Sequence, residues 1–133
     1  MDVPRVVALG LLTSGARVLV VRRPPDGPLP GLWEFPGGKV QFGEHPWSAL
    51  VRELDEELGV HPPRGVLFGV YSHVYDAGGP RAHVVLIVYR TRMRRDRVRD
   101  AADRRWASRD ELRTWPIIPG SRPIVDDFLR RRG

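Results

Sequence analysis

The stretch Gly38–Val60, GKVQFGEHPWSALVRELDEELGV, constrains this chain more than any other. A pair of glycines opens it, Glu44 follows, and the run Arg52-Glu53-Leu54-Asp55-Glu56-Glu57-Leu58-Gly59-Val60 closes it. The pattern predicts a loop followed by a helix. Gly37 and Gly38 suit a tight turn and let a ligand approach the backbone closely. Pro46 suits a first helical turn, and Gly59 suits a left-handed C-terminal cap. With a turn of about 100° per residue, Trp47, Leu50, Leu54 and Leu58 share one side of this helix, and Glu53, Glu56 and Glu57 fall within an adjoining arc. One side packs; the next holds three carboxylates.

Carboxylates crowded in this way repel one another. Arg52, four residues before Glu56, can neutralise one of them, and a divalent cation would neutralise the rest. Oxygen ligands without cysteine or histidine favour Mg²⁺, or Mn²⁺ in its place, over zinc. Mg²⁺ held by few carboxylates completes its shell with water and substrate phosphates, so the cluster points to phosphate chemistry. A solvated acidic helix face is the other reading of a Glu-rich helix, and the fixed offsets of the glycines, Glu44, Arg52 and the helix stop weigh against it.

At 133 residues the chain fits a single domain spanning 1–133. No apolar run approaches the ~20 residues of a membrane helix, and the start MDVPRVVALG lacks a signal-peptide layout, so a cytoplasmic protein with no membrane partner is expected. Absence of cysteine removes disulfides and thiolate chemistry. A net charge of +6, carried by arginine except for Lys39, favours anionic partners. Nucleotides and nucleic acids are both admissible on charge alone, and an arginine-rich composition explains it equally well.

Along the chain, Val3–Leu12 and Val18–Val21 read as neighbouring strands around a turn at Thr13–Ala16, and Leu32–Phe35 as a short strand. The helix follows. Val66–Tyr75 and Arg81–Arg90 form a hairpin around Asp76–Pro80, and Thr91–Arg99 reads as a loop. A short strand at Arg105–Ala107 precedes Ser108-Arg109-Asp110-Glu111, a capping box. Ser121 is placed to cap a last helix that buries Ile124, Val125, Phe128 and Leu129. Interleaved strands and helices predict a mixed α/β fold with one sheet between helices.

Nine positions, Gly38, Glu44, Arg52, Glu53, Leu54, Glu56, Glu57, Gly59 and Val60, match the signature of the Nudix hydrolases without gap or substitution. The resemblance covers nearly the whole chain and implies that family's α/β/α sandwich around a mixed central sheet. It also implies metal-dependent hydrolysis of a nucleoside diphosphate-X linkage. By motif position Glu53, Glu56 and Glu57 are the metal-binding carboxylates, Arg52 orients one of them, and Gly37 or Gly38 presents a carbonyl to the metal. Lys39 meets a phosphate. Glu44 either assists from behind the ligands or fixes the loop onto the helix. The base is Glu53 or a carboxylate outside the signature; Asp100, ahead of Trp106, matches that second placement better than Asp103.

The segment Gly31–Lys39 is similar to that of MutT-type enzymes, which cleave nucleoside triphosphates, including damaged ones, to monophosphate and pyrophosphate. Arg23 falls at that group's nucleotide-contacting arginine, and Pro119–Pro123 resembles its base-recognition region. Ser121 stands where the oxidised-guanine enzymes carry Asn, and a single hydroxyl offers fewer hydrogen bonds than an amide. Trp33, Tyr71, Tyr75 and Trp115 are candidates to stack on a base, and Arg81 joins Arg23, Lys39, Trp33 and Ser121 as a substrate-binding candidate. ADP-ribose, a dinucleoside polyphosphate or an RNA 5′ end are the alternative substrates, and a non-catalytic nucleotide sensor is the alternative of another class. Monomer and homodimer both remain open.

Overall fold

The computed structural model describes residues 3–76 and 81–131. Seven strands form one mixed sheet. β1 (Arg5–Ser14) and β2 (Arg17–Arg22) make the first hairpin, followed by the short strands β3 (Trp33–Glu34) and β4 (Gly37–Lys39). Helix α1 (Pro46–Leu58) comes next, then β5 (Val66–Tyr75), β6 (Ala82–Arg92) and β7 (Arg104–Ala107), with α2 (Arg109–Thr114) and α3 (Arg122–Arg130) at the end. The strand order is β3-β2-β1-β6-β5, with β4 added to β1 and β7 to β2. Only β1 and β6 run parallel, from Arg5↔Val84 to Thr13↔Arg92.

Alternation along the central strands explains the two helical layers. Side chains on a strand point to opposite faces in turn. Ala8 and Leu12 of β1, Leu19 of β2 and Tyr89 of β6 join Trp47, Leu50 and Leu54 of α1 in one core cluster. Leu9, Leu11, Val18, Val20 and Val88 point the other way, to Leu112 of α2 and to Ile124, Val125 and Phe128 of α3. Leu50 and Leu54 are fully buried, so truncating either to alanine costs about 2–5 kcal/mol. The expected α/β/α sandwich is the observed one.

Helix ends follow their sequence signals at most places. Gly59 closes α1 in the left-handed region, at φ 66°, and its N–H donates to Asp55 O. His45 caps the start, its Nδ1 accepting from the Trp47 N–H at 3.0 Å. The capping box at Ser108 forms in both directions, Glu111 N to Ser108 Oγ at 3.1 Å and Ser108 N to Glu111 Oε1 at 2.8 Å.

Four expectations need correction. Gly37 and Gly38 lie in β4, paired to Leu9 and Ala8, instead of forming a tight turn. Thr91 and Arg92 belong to β6, and Arg95–Arg97 form a 3₁₀ turn, so the loop is shorter than its unpatterned sequence implies. Ser121 makes no side-chain cap on α3, because Pro119–Ser121 is itself a 3₁₀ turn and holds Ser121 in a helical, not extended, conformation. The first strand starts at Arg5 and runs on to Ser14. Most of the expected turn at Asp76–Pro80 lies outside the described residues. Among the described residues no helix is long and apolar enough to cross a membrane.

Candidate active site

The double glycine brings helix α1 against the sheet. Gly37 has φ 149°, and a Cβ built there would come within 2.0 Å of Ala8 O, so only glycine lets β4 lie on β1. A Cβ on Gly38 would stand 2.3 Å from Glu53 Cδ. The close approach expected for a ligand is therefore made first by the chain itself: β1 sits over Gly37, and the Glu53 carboxylate lies over Gly38.

Arg52 anchors that carboxylate. Its Nη1 donates to Glu53 Oε1 at 2.9 Å, its Nε and Nη2 grip both oxygens of Glu44 at 2.9 and 3.0 Å, and Nη2 also donates to Lys39 O at 3.0 Å. The i,i+4 partner anticipated for it, Glu56, stands farther off at 3.5 Å. Glu44 in turn accepts from the Gln41 N–H at 3.0 Å, so this one carboxylate ties the β4–α1 loop to the helix. The guanidinium and the Gln41 amide hold the Glu44 carboxyl at about 2, and the same bonds, Glu44 first and Glu53 next, raise Arg52 above the usual arginine value. A bidentate fork suits this arrangement as an ammonium would not.

Glu57 is under the opposite pressure. Burial, a hydrogen bond that its protonated carboxyl gives to Glu53, and the charges of Glu53, Glu34 and Glu56 push it to about 8. Part of the side chain is exposed, so water moderates this crowding. Among the described residues no three acidic or histidine side chains converge closely enough to enclose an ion as they stand. The donor set nevertheless fits a hard divalent cation: oxygen atoms only, a proton on Glu57 for the cation to displace, and a Gly38 cradle that keeps Glu53 at the sheet. Rotation of exposed Glu56 and Glu57 about their side-chain bonds is what bringing the three together requires.

A cleft of about 890 Å³ runs from this helix across the sheet. Gly37, Gly38, Lys39 and Glu57 line one end of it. Arg23, Glu34, His73, Tyr75 and Ser121 line the rest. Arg23 Nη1 donates to both Glu34 oxygens at 3.2 and 3.4 Å, and its Nε donates to Pro28 O at 2.8 Å. Burial raises the Glu34 carboxyl while Arg23 lowers it, the burial being the larger effect. Tyr75 Oη accepts from the Gly120 N–H at 2.7 Å, and its ring meets His73 edge-on at 4.4 Å. Ser121, 3% exposed, closes the cleft beside them.

Other residues singled out in the sequence stand elsewhere. Trp33 is not a cleft residue: it is 8% exposed, packs on Trp115 at 5.1 Å and belongs to the core on the α2–α3 side. Its neighbours Glu34 and Phe35 both line the cleft, Phe35 from the buried side. Asp100 is also outside the cleft lining; its Oδ1 accepts from the Trp106 N–H at 2.8 Å, which ties the segment before β7 onto that strand. Tyr71 donates to Asp127 Oδ2 at 2.6 Å and so braces α3. Arg81 is exposed immediately before Ala82, which does line the cleft. Glu34 is the functional candidate that the sequence reading missed, because it reaches the cleft through the pairing of β3 with β2, which no local pattern marks.

Known proteins resemble this chain over most of its length. The sequence profile of the NUDIX domain matches residues 1–128. The CTP pyrophosphohydrolase of Escherichia coli (strain K12) is 30% identical over 126 residues, 95% of this chain and 92% of that protein. An 8-oxo-dGTP diphosphatase of the same organism is 35% identical over 81 residues, 60% of each chain. The crystal structure of a MutT NUDIX hydrolase from Burkholderia pseudomallei superimposes with a TM-score of 0.76 at 29% identity, covering 95% of this chain and 98% of that one. With its signature helix, its glycine-seated glutamate and this agreement from end to end, the chain belongs to the Nudix hydrolase family.

Proposed function

We propose that this protein is a Mg²⁺-dependent nucleotide pyrophosphohydrolase, acting as one domain, that cleaves a (deoxy)nucleoside triphosphate to the monophosphate and pyrophosphate. The observation that carries this reading is the continuity of the cleft: Glu57 of the carboxylate helix and Lys39 stand at one end, and a polar pocket around Arg23, Glu34, Tyr75 and Ser121 continues from it. Such a cleft suits a ligand with a charged phosphate chain and a polar base. The full-length likeness to a CTP pyrophosphohydrolase supports the triphosphate class.

A divalent cation held by Glu53, Glu56, Glu57 and the Gly37 carbonyl would lower the pKa of a bound water and offset charge on the phosphoryl oxygens. The chain's own residues supply the rest. Arg52 fixes Glu53, so that this carboxylate is aimed and unable to swing away. Glu53 is the stronger candidate for the base, because Asp100 is engaged at β7. Lys39 offers an ammonium to a non-bridging phosphate oxygen, and Arg23, already braced by Glu34 and Pro28, presents a fixed guanidinium to the nucleotide. Water adds across the bridging P–O–P bond, leaving its hydroxyl on one phosphorus and its proton on the carboxylate.

A nucleotide panel with Mg²⁺, including CTP, dCTP, 8-oxo-dGTP and ADP-ribose, tests the reading by product analysis. Monophosphate and pyrophosphate are expected from a triphosphate, with at least a 10³-fold loss in Glu53→Gln. Release of orthophosphate alone, or equal turnover by that variant, overturns it.

A further inference from the structure

A second cavity lies away from the catalytic cleft and shares no lining residue with it. It has a volume of about 1030 Å³ and sits where the β1–β2 turn, the segment after α1 and the end of β6 meet. Arg92, Arg94 and Arg97 line its wall together with His61, and Arg90 joins them in the lining although its guanidinium lies over the Phe128 ring, 5.6 Å from the ring centre. Its floor is closed by buried Thr13, Val60 and Met93. Among the described residues that line it there is no Asp or Glu, and no Phe, Tyr or Trp.

Charge in this cavity is poorly compensated. The side chains of Arg92 and Arg97 make no hydrogen bond or ion pair among the described residues, whereas Arg52, Arg94 and Arg104 are each paired with a carboxylate. Arg94 pairs with Asp96 at 2.6 Å, where both side chains are mostly exposed. His61 is joined to Asp55 at 2.6 Å. Burial first, and then the charges of Arg92 and Arg109, push the Arg90 guanidinium down beside the Phe128 ring that Arg90 and Arg109 share. The C-terminal end of α1 borders the same cavity at Gly59, and its half-unit of negative charge is outweighed by the guanidiniums.

Concave walls carrying one sign of charge focus the field and raise the local concentration of a counter-ion. Guanidinium forks match phosphate oxygens in pairs. Without a flat aromatic ring the cavity offers no platform on which a base could stack. We propose that this arginine-lined cavity binds a run of phosphate groups, as a free polyphosphate chain or as the backbone of a single-stranded nucleic acid, independently of the base sequence. The proposal is separate from the reading of the catalytic cleft, and either can fail without the other.

The test uses the full-length protein in EDTA, which removes metal-assisted binding at the cleft. Amide NMR shifts are followed during titration with tripolyphosphate and, separately, with a labelled twelve-nucleotide oligothymidylate. Saturable shifts at Gly15, His61, Arg92 and Arg97 are expected with at least one probe. A response to tripolyphosphate alone assigns the free chain, and a response to the oligonucleotide alone assigns the strand. In Arg92→Glu/Arg97→Glu the affinity falls at least tenfold, and for the strand the slope of log K against log salt drops by about 1.4. Mg²⁺-dependent turnover stays at the wild-type rate. Arg92→Ala/Arg97→Ala serves if charge reversal disturbs folding. Shifts confined to Arg23, Lys39 and Tyr75, unchanged affinity in both double variants, or no saturable binding of either probe at 1 mM overturns the proposal.

Discussion

Glu53 lies over Gly38 so closely that a Cβ on the glycine would stand 2.3 Å from the glutamate Cδ. The signature glycine and the signature carboxylate are thus two halves of one contact. Gly38→Ala is expected to displace the Glu53 side chain and loosen its bond to Arg52, with the fold retained. A displacement near 1 Å at a reacting group costs roughly 10²-fold. Measured kcat/KM should fall by that order while the circular dichroism spectrum stays the same; near-normal turnover would show that the contact does not position Glu53.

Arg52 serves two carboxylates and a backbone carbonyl at once, which a lysine ammonium cannot reproduce. Arg52→Lys is expected to lower activity by about 10–100-fold, the range for a residue that orients metal ligands. Most of that loss should appear as weaker Mg²⁺ activation, read from the Mg²⁺ dependence of the rate. Glu44→Gln keeps the shape but loses the charge, and should reproduce part of the loss with an unchanged metal profile at saturating Mg²⁺.

The Glu57 carboxyl has an ordinary value of 4.5 and is raised in the fold to about 8. Between those values the metal-free fold holds a proton that the unfolded chain has lost. This contribution to stability is therefore complete below about pH 4.5 and is lost as pH rises through about 8. Without metal, Tm should decline across that window, and saturating Mg²⁺ should flatten the decline. Below pH 8, Mg²⁺ binding should release close to one proton. Calorimetry in buffers of different ionisation enthalpy reads the proton count, and a count of zero at pH 6.5 would refute the coupling.

Ser121 lines the cleft with a single hydroxyl beside Tyr75 and Gly120. Ser121→Asn adds a carbonyl and an amide at that point. If Ser121 faces the base, the ratio of kcat/KM for 8-oxo-dGTP over CTP should rise by tenfold or more. An unchanged ratio places base recognition elsewhere in the cleft.

By itself the sequence determined whatever is local to one helix. The carboxylate arc, the apolar side through Trp47, Leu50 and Leu54, the proline start and the Gly59 stop depend only on residues three or four apart or on backbone preference at a single position. The capping box at Ser108 was legible for the same reason. Tertiary structure decided everything that needed strand order. Trp33 and Asp100 looked like site residues along the chain, but pairing of β3 and β7 with β2 sends one to the core and engages the other on the backbone of β7. Glu34 entered the site through the pairing of β3 with β2 and its bond from Arg23. The arginines around the second cavity include Arg90 and Arg92 on β6, opposite the β1–β2 turn. Their meeting with residues after α1 depends on contacts some thirty positions apart, which no local pattern encodes.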